Sequence, residues 1–151
     1  MNSGKAARLQ DQSGQSLAEL VLIFPVLLIL VFGIIEVGLA FQTHQAVTNV
    51  AREGARVSTL TDASDKAVRE TVVDRLRASG LDPDQAEIVL ACDGEEGGLC
   101  TGPDRSGRSS RVSVAYPYRF FMIGGLSRLI SGDGEDFGVV ALSARTIMVN
   151  E

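Results

Sequence analysis

From Leu20 to Ile35 the chain reads LVLIFPVLLILVFGII, sixteen residues without a charged or amide side chain, and VGLAF prolongs the run beyond Glu36. A helix over Leu20 to Phe41 is roughly 33 Å long, close to the ~30 Å hydrocarbon thickness of a bilayer. The fourteen Leu, Val, Ile and Phe residues between 20 and 35 favour insertion by about 4 to 8 kcal/mol, whereas one central carboxylate opposes it by about 3. Glu36 lies nearer the end of the run, so a transmembrane helix is expected. A buried helix of a soluble protein would rarely run so far without a polar face. A secretory signal peptide, with Gly38 and Ala40 before a cut at Phe41, would be unusually long and would carry Glu36 close to the cut. On the short N-terminal flank Lys5, Arg8 and the starting amine face only Asp11, which predicts a cytoplasmic N-terminus and an extracytoplasmic C-terminal portion.

Beyond the run the pattern changes to amphipathic. Val47, Val50, Ala51, Gly54 and Val57 fall on one side of a continuing helix that is expected to reach Ser58 from about Ser16, roughly 64 Å. Pro25 removes one hydrogen bond and should kink it. Gly54 would permit a strand to pack closely, and Arg52, Glu53 and Arg56 read as a solvated face. Ser64 is a natural N-cap for a second helix with Val68, Val72 and Leu76 on its buried stripe. Gly80 and Asp82-Pro83 end that helix. Strands are predicted over 87–92, 111–118 (with Val112, Val114, Tyr116 and Tyr118 on one face) and 139–149. The expected architecture is α+β: a long N-terminal transmembrane helix and a small extracytoplasmic head with a second helix and a mostly antiparallel sheet.

Composition narrows the chemistry. The chain has 151 residues, a formal net charge of -5, one histidine and no tryptophan. An acidic chain without a basic stripe lacks the usual attraction to phosphate backbones, so no nucleic-acid partner is expected. With His44 far from any carboxylate or nucleophile at a meaningful spacing, neither a catalytic triad nor a metal or cofactor site is expected, and the chain does not read as an enzyme. Cys92 and Cys100 flank the polar loop DGEEGGL outside the cytoplasm, and a disulfide is the economical reading. Against it stand a metal pair without further ligands, a redox pair at unusually wide spacing, and two free thiols. Ser131 to Asp136 resembles a calcium loop only loosely and reads as an acidic turn. Phe120 to Ile123 with Leu126, Leu129 and Ile130 reads as core, with a contact surface as the alternative.

The stretch Ser13-Gly14-Gln15-Ser16-Leu17-Ala18-Glu19 carries the most information. A glycine at the membrane edge lets a peptidase approach the backbone, and an ionisable Glu19 at the lipid boundary is a functional candidate. Alone, Glu19 could simply begin a helix. About residues 13 to 57, with the run GQSLAELVLIFPVLLILVFGIIEVGLAFQTHQAVTNVAREGARV, resemble the N-terminal region of the TadE/TadG-like pseudopilins of the Tad (Flp) pilus. The resemblance rests jointly on Gly14 and Glu19, Pro25, Gly33 with Ile34-Ile35-Glu36, and Ala51-Arg52-Glu53-Gly54-Ala55-Arg56. The chain departs from many relatives at Gln15 and Leu20, where those carry Ala and Phe.

The resemblance implies cleavage after Gly14 by a prepilin peptidase, so that Gln15 becomes the N-terminus and Glu19 pairs with the N-terminal amine of a neighbouring subunit. It also implies a minor subunit rather than the much shorter shaft pilin, with the membrane, other pilins or pseudopilins and the assembly platform as partners. The expected organisation is a leader over 1–14, a transmembrane helix over 15–41, its outward continuation over 42–60 and a head over 61–151. An uncleaved single-span protein whose outer domain binds a ligand or partner is the alternative.

Overall fold

A computed structural model describes residues 4–60, 63–100, 106–122 and 138–150, with side chains from Gly14 onward. The described chain forms two helices, α1 (Gly4–Ser58) and α2 (Asp65–Ala78), a 3-10 turn (Pro83–Gln85) and four strands, β1 (Glu87–Cys92), β2 (Glu95–Glu96), β3 (Ser109–Arg119) and β4 (Val139–Val149). The fold is α+β, as the hydropathy pattern predicts. It divides into two compact units, Met1–Gly38 and Leu39–Glu151.

In the first unit α1 begins at Gly4 rather than near Ser16 and runs through Pro25. The early start has a local cause. Lys5-Ala6-Ala7-Arg8-Leu9-Gln10 are strong helix formers, and one interior glycine at position 14 costs only about 1 kcal/mol. Between Leu17 and Val37 the large hydrophobic side chains of this unit are exposed, Leu22 by 76% and Ile34 by 66%. That is the surface expected of a helix whose partner is lipid.

The second unit is built around the helix face that the sequence marks. Val47, Val50, Ala51 and Ala55 of α1 meet Val68, Val72 and Leu76 of α2 in one core with Leu90, Leu99, Val112, Val114 and Ala144. Gly54 is where these elements come closest. A Cβ there would lie 2.7 Å from Val72 Cγ2 and 3.2 Å from Val112 Cγ1, so the glycine admits a helix and a strand together.

The ends of α2 follow from its flanks. Ser64 Oγ accepts from the Ala67 amide at 3.2 Å. At the other end Gly80 adopts φ 75, while Gly80 N donates to Arg77 O and Leu81 N to Leu76 O at 3.0 and 2.9 Å. This paired closure is the Schellman geometry, and Leu81 completes it by packing on the core.

The sheet is antiparallel throughout, in the order β2-β1-β3-β4. Even-numbered residues of β3 and β4 turn toward the core, with Val112, Val114 and Ala144 buried. β3 extends beyond the predicted 111–118, and β2 escaped prediction because Glu95-Glu96 sits in a glycine-rich acidic loop without strand propensity. Pro117 lies inside a central strand yet breaks no ladder. Pairing places it opposite Ala141, between the hydrogen-bonded positions, and β1 begins opposite Ala115, so the side lacking an N–H faces no strand.

The apolar segment after β3 is only partly described. Phe120 meets Tyr118 edge-on with centroids 5.2 Å apart, but Phe121 is 87% exposed, so core packing does not extend to that side chain. Ile123, Leu126, Leu129, Ile130 and the acidic turn at Ser131 to Asp136 lie outside the described residues, as do Thr61 and Asp62.

Candidate functional site

The polar entry to the apolar run lies wholly on α1. Gly14, Gln15 and Glu19 are all exposed helical residues, and a Cβ at Gly14 would meet nothing within 4 Å. Gln15 and Glu19 are four residues apart, which brings them onto one helix face. Gly14 is thus approachable from solvent, and Glu19 lies one helical turn beyond Gln15, whose nitrogen cleavage after Gly14 would liberate.

Glu36 is arranged differently from its surroundings. It is 5% exposed, whereas Ile35 and Val37 on either side are 52% and 65% exposed. A carboxylate within so apolar a helix is a functional candidate by default. The sequence identifies the residue, but not its burial.

In the second unit Arg52 and Arg56 are exposed, as a solvated helix face requires, whereas Glu53 is half-buried and bridges two helices. Its Oε1 accepts from Arg56 Nη2 at 3.1 Å and from Arg75 Nη2 of α2 at 3.3 Å, joining α1 to α2. The hydrogen bond from Arg56, with charge attraction from both arginines, holds the Glu53 carboxyl below its ordinary range despite partial desolvation. Sequence spacing exposes the Glu53–Arg56 pair three residues apart, but not the tertiary partner Arg75.

Cys92 and Cys100 are joined by a disulfide, Cα to Cα 4.9 Å. It closes the short loop that carries β2. Asp93 beside it is fixed by Arg108 Nε at 2.8 Å and by the Ser109 amide at 2.8 Å. Cys92, Asp93 and Cys100 bring potential metal donors within 4.8 Å of one another, but the bonded sulfurs offer no thiolate and the carboxylate is occupied, so the cluster is a structural clasp. Replacing both cysteines by serine is expected to lower stability by about 2.6 kcal/mol from loop entropy, read as a reduced denaturation midpoint. The intact protein should gain two protons on reduction.

The clasp and the helix bridge share a pH dependence. Asp93 is held below the usual carboxylate range chiefly by Arg108 and the Ser109 amide, and Asp82 by Gln85 and the Asp84 amide. With Glu53, these folded-state values lie below the unfolded ones. Their stabilisation is therefore present above about pH 4 and is lost as pH falls through the lower folded values. Thermal midpoints should decline below that pH, and Asp93→Asn should flatten the decline.

The glycine, the acid, the apolar run and the core-facing turns after it all lie on one helix between Gly14 and Arg56. Residues 14–56 match the family model described as TadE-like protein. This TadE-like segment opens on the glycine and closes on the Glu53–Arg56 pair, and it is the segment on which the sequence resemblance rests. Neither the curated proteins nor the solved structures give a match to the chain. The TadE-like segment lies within the one described helix long and apolar enough to cross a membrane. α2 and the sheet lie outside it.

Proposed function

We propose that the protein is a minor, pilin-like subunit that a prepilin peptidase cuts after Gly14 and that then takes part in Tad pilus assembly, anchored in the inner membrane with its head outside the cytoplasm. The TadE-like match supports the pilus context. The observation that carries the processing step is the open approach to Gly14, with Glu19 one helical turn beyond Gln15 on an exposed stretch of the same helix.

Cutting converts the Gln15 amide nitrogen into an ammonium at the membrane edge. A carboxylate about 4 Å from such a charge gains about 4 kcal/mol at an effective dielectric of 20. Within one helix Glu19 could neutralise its own amine. Between subunits it would receive the amine of the adjoining chain, which couples removal of the leader to side-by-side packing of apolar helices. In this reading the chain is the substrate of an enzyme and does no chemistry of its own.

Intact mass of the protein from cells with and without prepilin peptidase tests the reading. The expected result is loss of residues 1–14, with Gln15 first, only where the peptidase is present. A full-length chain in both backgrounds would leave the uncleaved single-span alternative.

A further inference from the structure

The two edges of the sheet are built differently. β2 is two glutamates long and sits inside the loop closed by Cys92 and Cys100. A short, acidic, tethered strand is how a sheet edge is kept from pairing with other chains. β4 at the other edge is eleven residues long, VVALSARTIMV, with one charge, no proline and no glycine. Among the described residues it pairs only with β3.

The direction of its backbone can be read from the register. Phe120 N donates to Gly138 O, and Asn150 N to Arg108 O. These pairs and the intervening register make the even-numbered residues of β4 the ones bonded to β3. The odd-numbered residues, Val139, Ala141, Ser143, Arg145, Ile147 and Val149, direct their N–H and C=O groups to the edge that no described strand covers. Their side chains are exposed as well, Ile147 by 53% and Val149 by 60%.

We propose that this edge is the docking surface for a second copy of the same chain, β4 against β4, antiparallel and centred on Ala144. The strand complements itself about that residue. On the outer face Val139 opposes Val149, Ala141 opposes Ile147, and Ser143 offers its hydroxyl to Arg145. On the core face Val140, still 47% exposed in the single chain, opposes Met148, and Leu142 opposes Thr146. Centring on Arg145 instead would set two guanidinium groups directly against each other, which is destabilising. Centring on Ser143 would shorten the overlap. The Ala144 register forms about twelve backbone hydrogen bonds, two for each of the paired odd positions, and joins two four-stranded sheets into one. It requires no leader processing, so it stands or falls separately from the proposed cleavage.

The test is site-directed cross-linking of the full chain in its membrane, with two differently tagged variants, Ser143→Cys and Arg145→Cys, produced together. Opposed residues in such a pair have Cα atoms about 5.5 Å apart, within disulfide reach, while identical residues are offset to about 7–8 Å. A cross-link joining the two tags, at least ten-fold stronger than in either variant alone, is the expected result.

Adding Ala141→Pro to both chains removes only an edge-facing N–H and should reduce the cross-link at least ten-fold, with the Cys92–Cys100 bridge retained. Should the proline variant lose its fold, Val139→Lys with Val149→Lys places like charges opposite each other and should give the same reduction. Absence of the mixed cross-link, equal cross-linking in the single variants, or indifference to these edge substitutions in a folded chain overturns the proposal. So does a cross-link whose mass identifies a different protein.

Discussion

Glu19→Ala is expected to leave the protein in the membrane and to reduce its incorporation into pili to background. The two halves of this expectation have separate physical origins. Insertion is driven by the apolar side chains after residue 19, and removing a carboxylate from the lipid boundary can only favour it, by up to about 3 kcal/mol. Incorporation, in the proposed mechanism, depends on neutralising an ammonium group that exists only after cleavage. Without Glu19 that charge stays at the edge of the hydrocarbon and forfeits a pairing of about 4 kcal/mol, a roughly thousand-fold change in an equilibrium. Glu19→Gln, which keeps size and loses charge, should behave like the alanine variant. Membrane fractionation and quantified pilus output, measured on the same cells, separate the two effects. Wild-type pilus output from a variant that is inserted and cleaved would sink the charge-pairing mechanism.

The second large effect is expected at Gly54. An added methyl would come within 2.7 Å of Val72 Cγ2 and 3.2 Å of Val112 Cγ1, and Val68, Val72 and Val112 are all fully buried. Overpacking of this kind costs about 1–3 kcal/mol. Alanine in place of glycine returns about 1 kcal/mol of helix propensity, so Gly54→Ala should show a net loss of up to about 2 kcal/mol. Gly54→Val has no such relief and adds further methyl groups, and it should lose about 3 kcal/mol or more, a substantial part of the 5–15 typical of a domain. Urea midpoints of the full-length chain provide the measurement. Val72→Ala on its own opens a cavity, but combined with Gly54→Ala it makes room for the new methyl. The double variant should therefore be more stable than the sum of the single losses implies. Strict additivity would show that the close approach at Gly54 has no energetic consequence.

The hydrophobic pattern made most of the fold legible because most of the fold is determined by local periodicity. Val68, Val72 and Leu76 recur every four residues and are the buried face of α2. Val139 to Val149 was bounded correctly by its composition, as was Glu87 to Cys92. The pattern misplaced features that depend on contacts distant in sequence. β2 pairs only because the strand beside it and the disulfide hold it there. The start of α1 depends on the absence of a breaker before Gly14, which a search for the apolar run overlooks. In the candidate site Gly14 and Glu19 were readable from their spacing to that run. The low exposure of Glu36 and the reach of Arg75 to Glu53 were not, since neither leaves a trace in one-dimensional order.

The core of the head draws its first wall from Val47 to Ala55 and its last strand from Val139 to Val149. The ribosome makes the helix flank well before that strand. Val68, Val72 and Leu76 of α2 emerge soon after the flank, whereas Ala144 of β4 follows much later. The nascent chain thus carries a core short of its last wall during that interval, and a chaperone that shields the Val47–Ala55 flank would have the same interval in which to act.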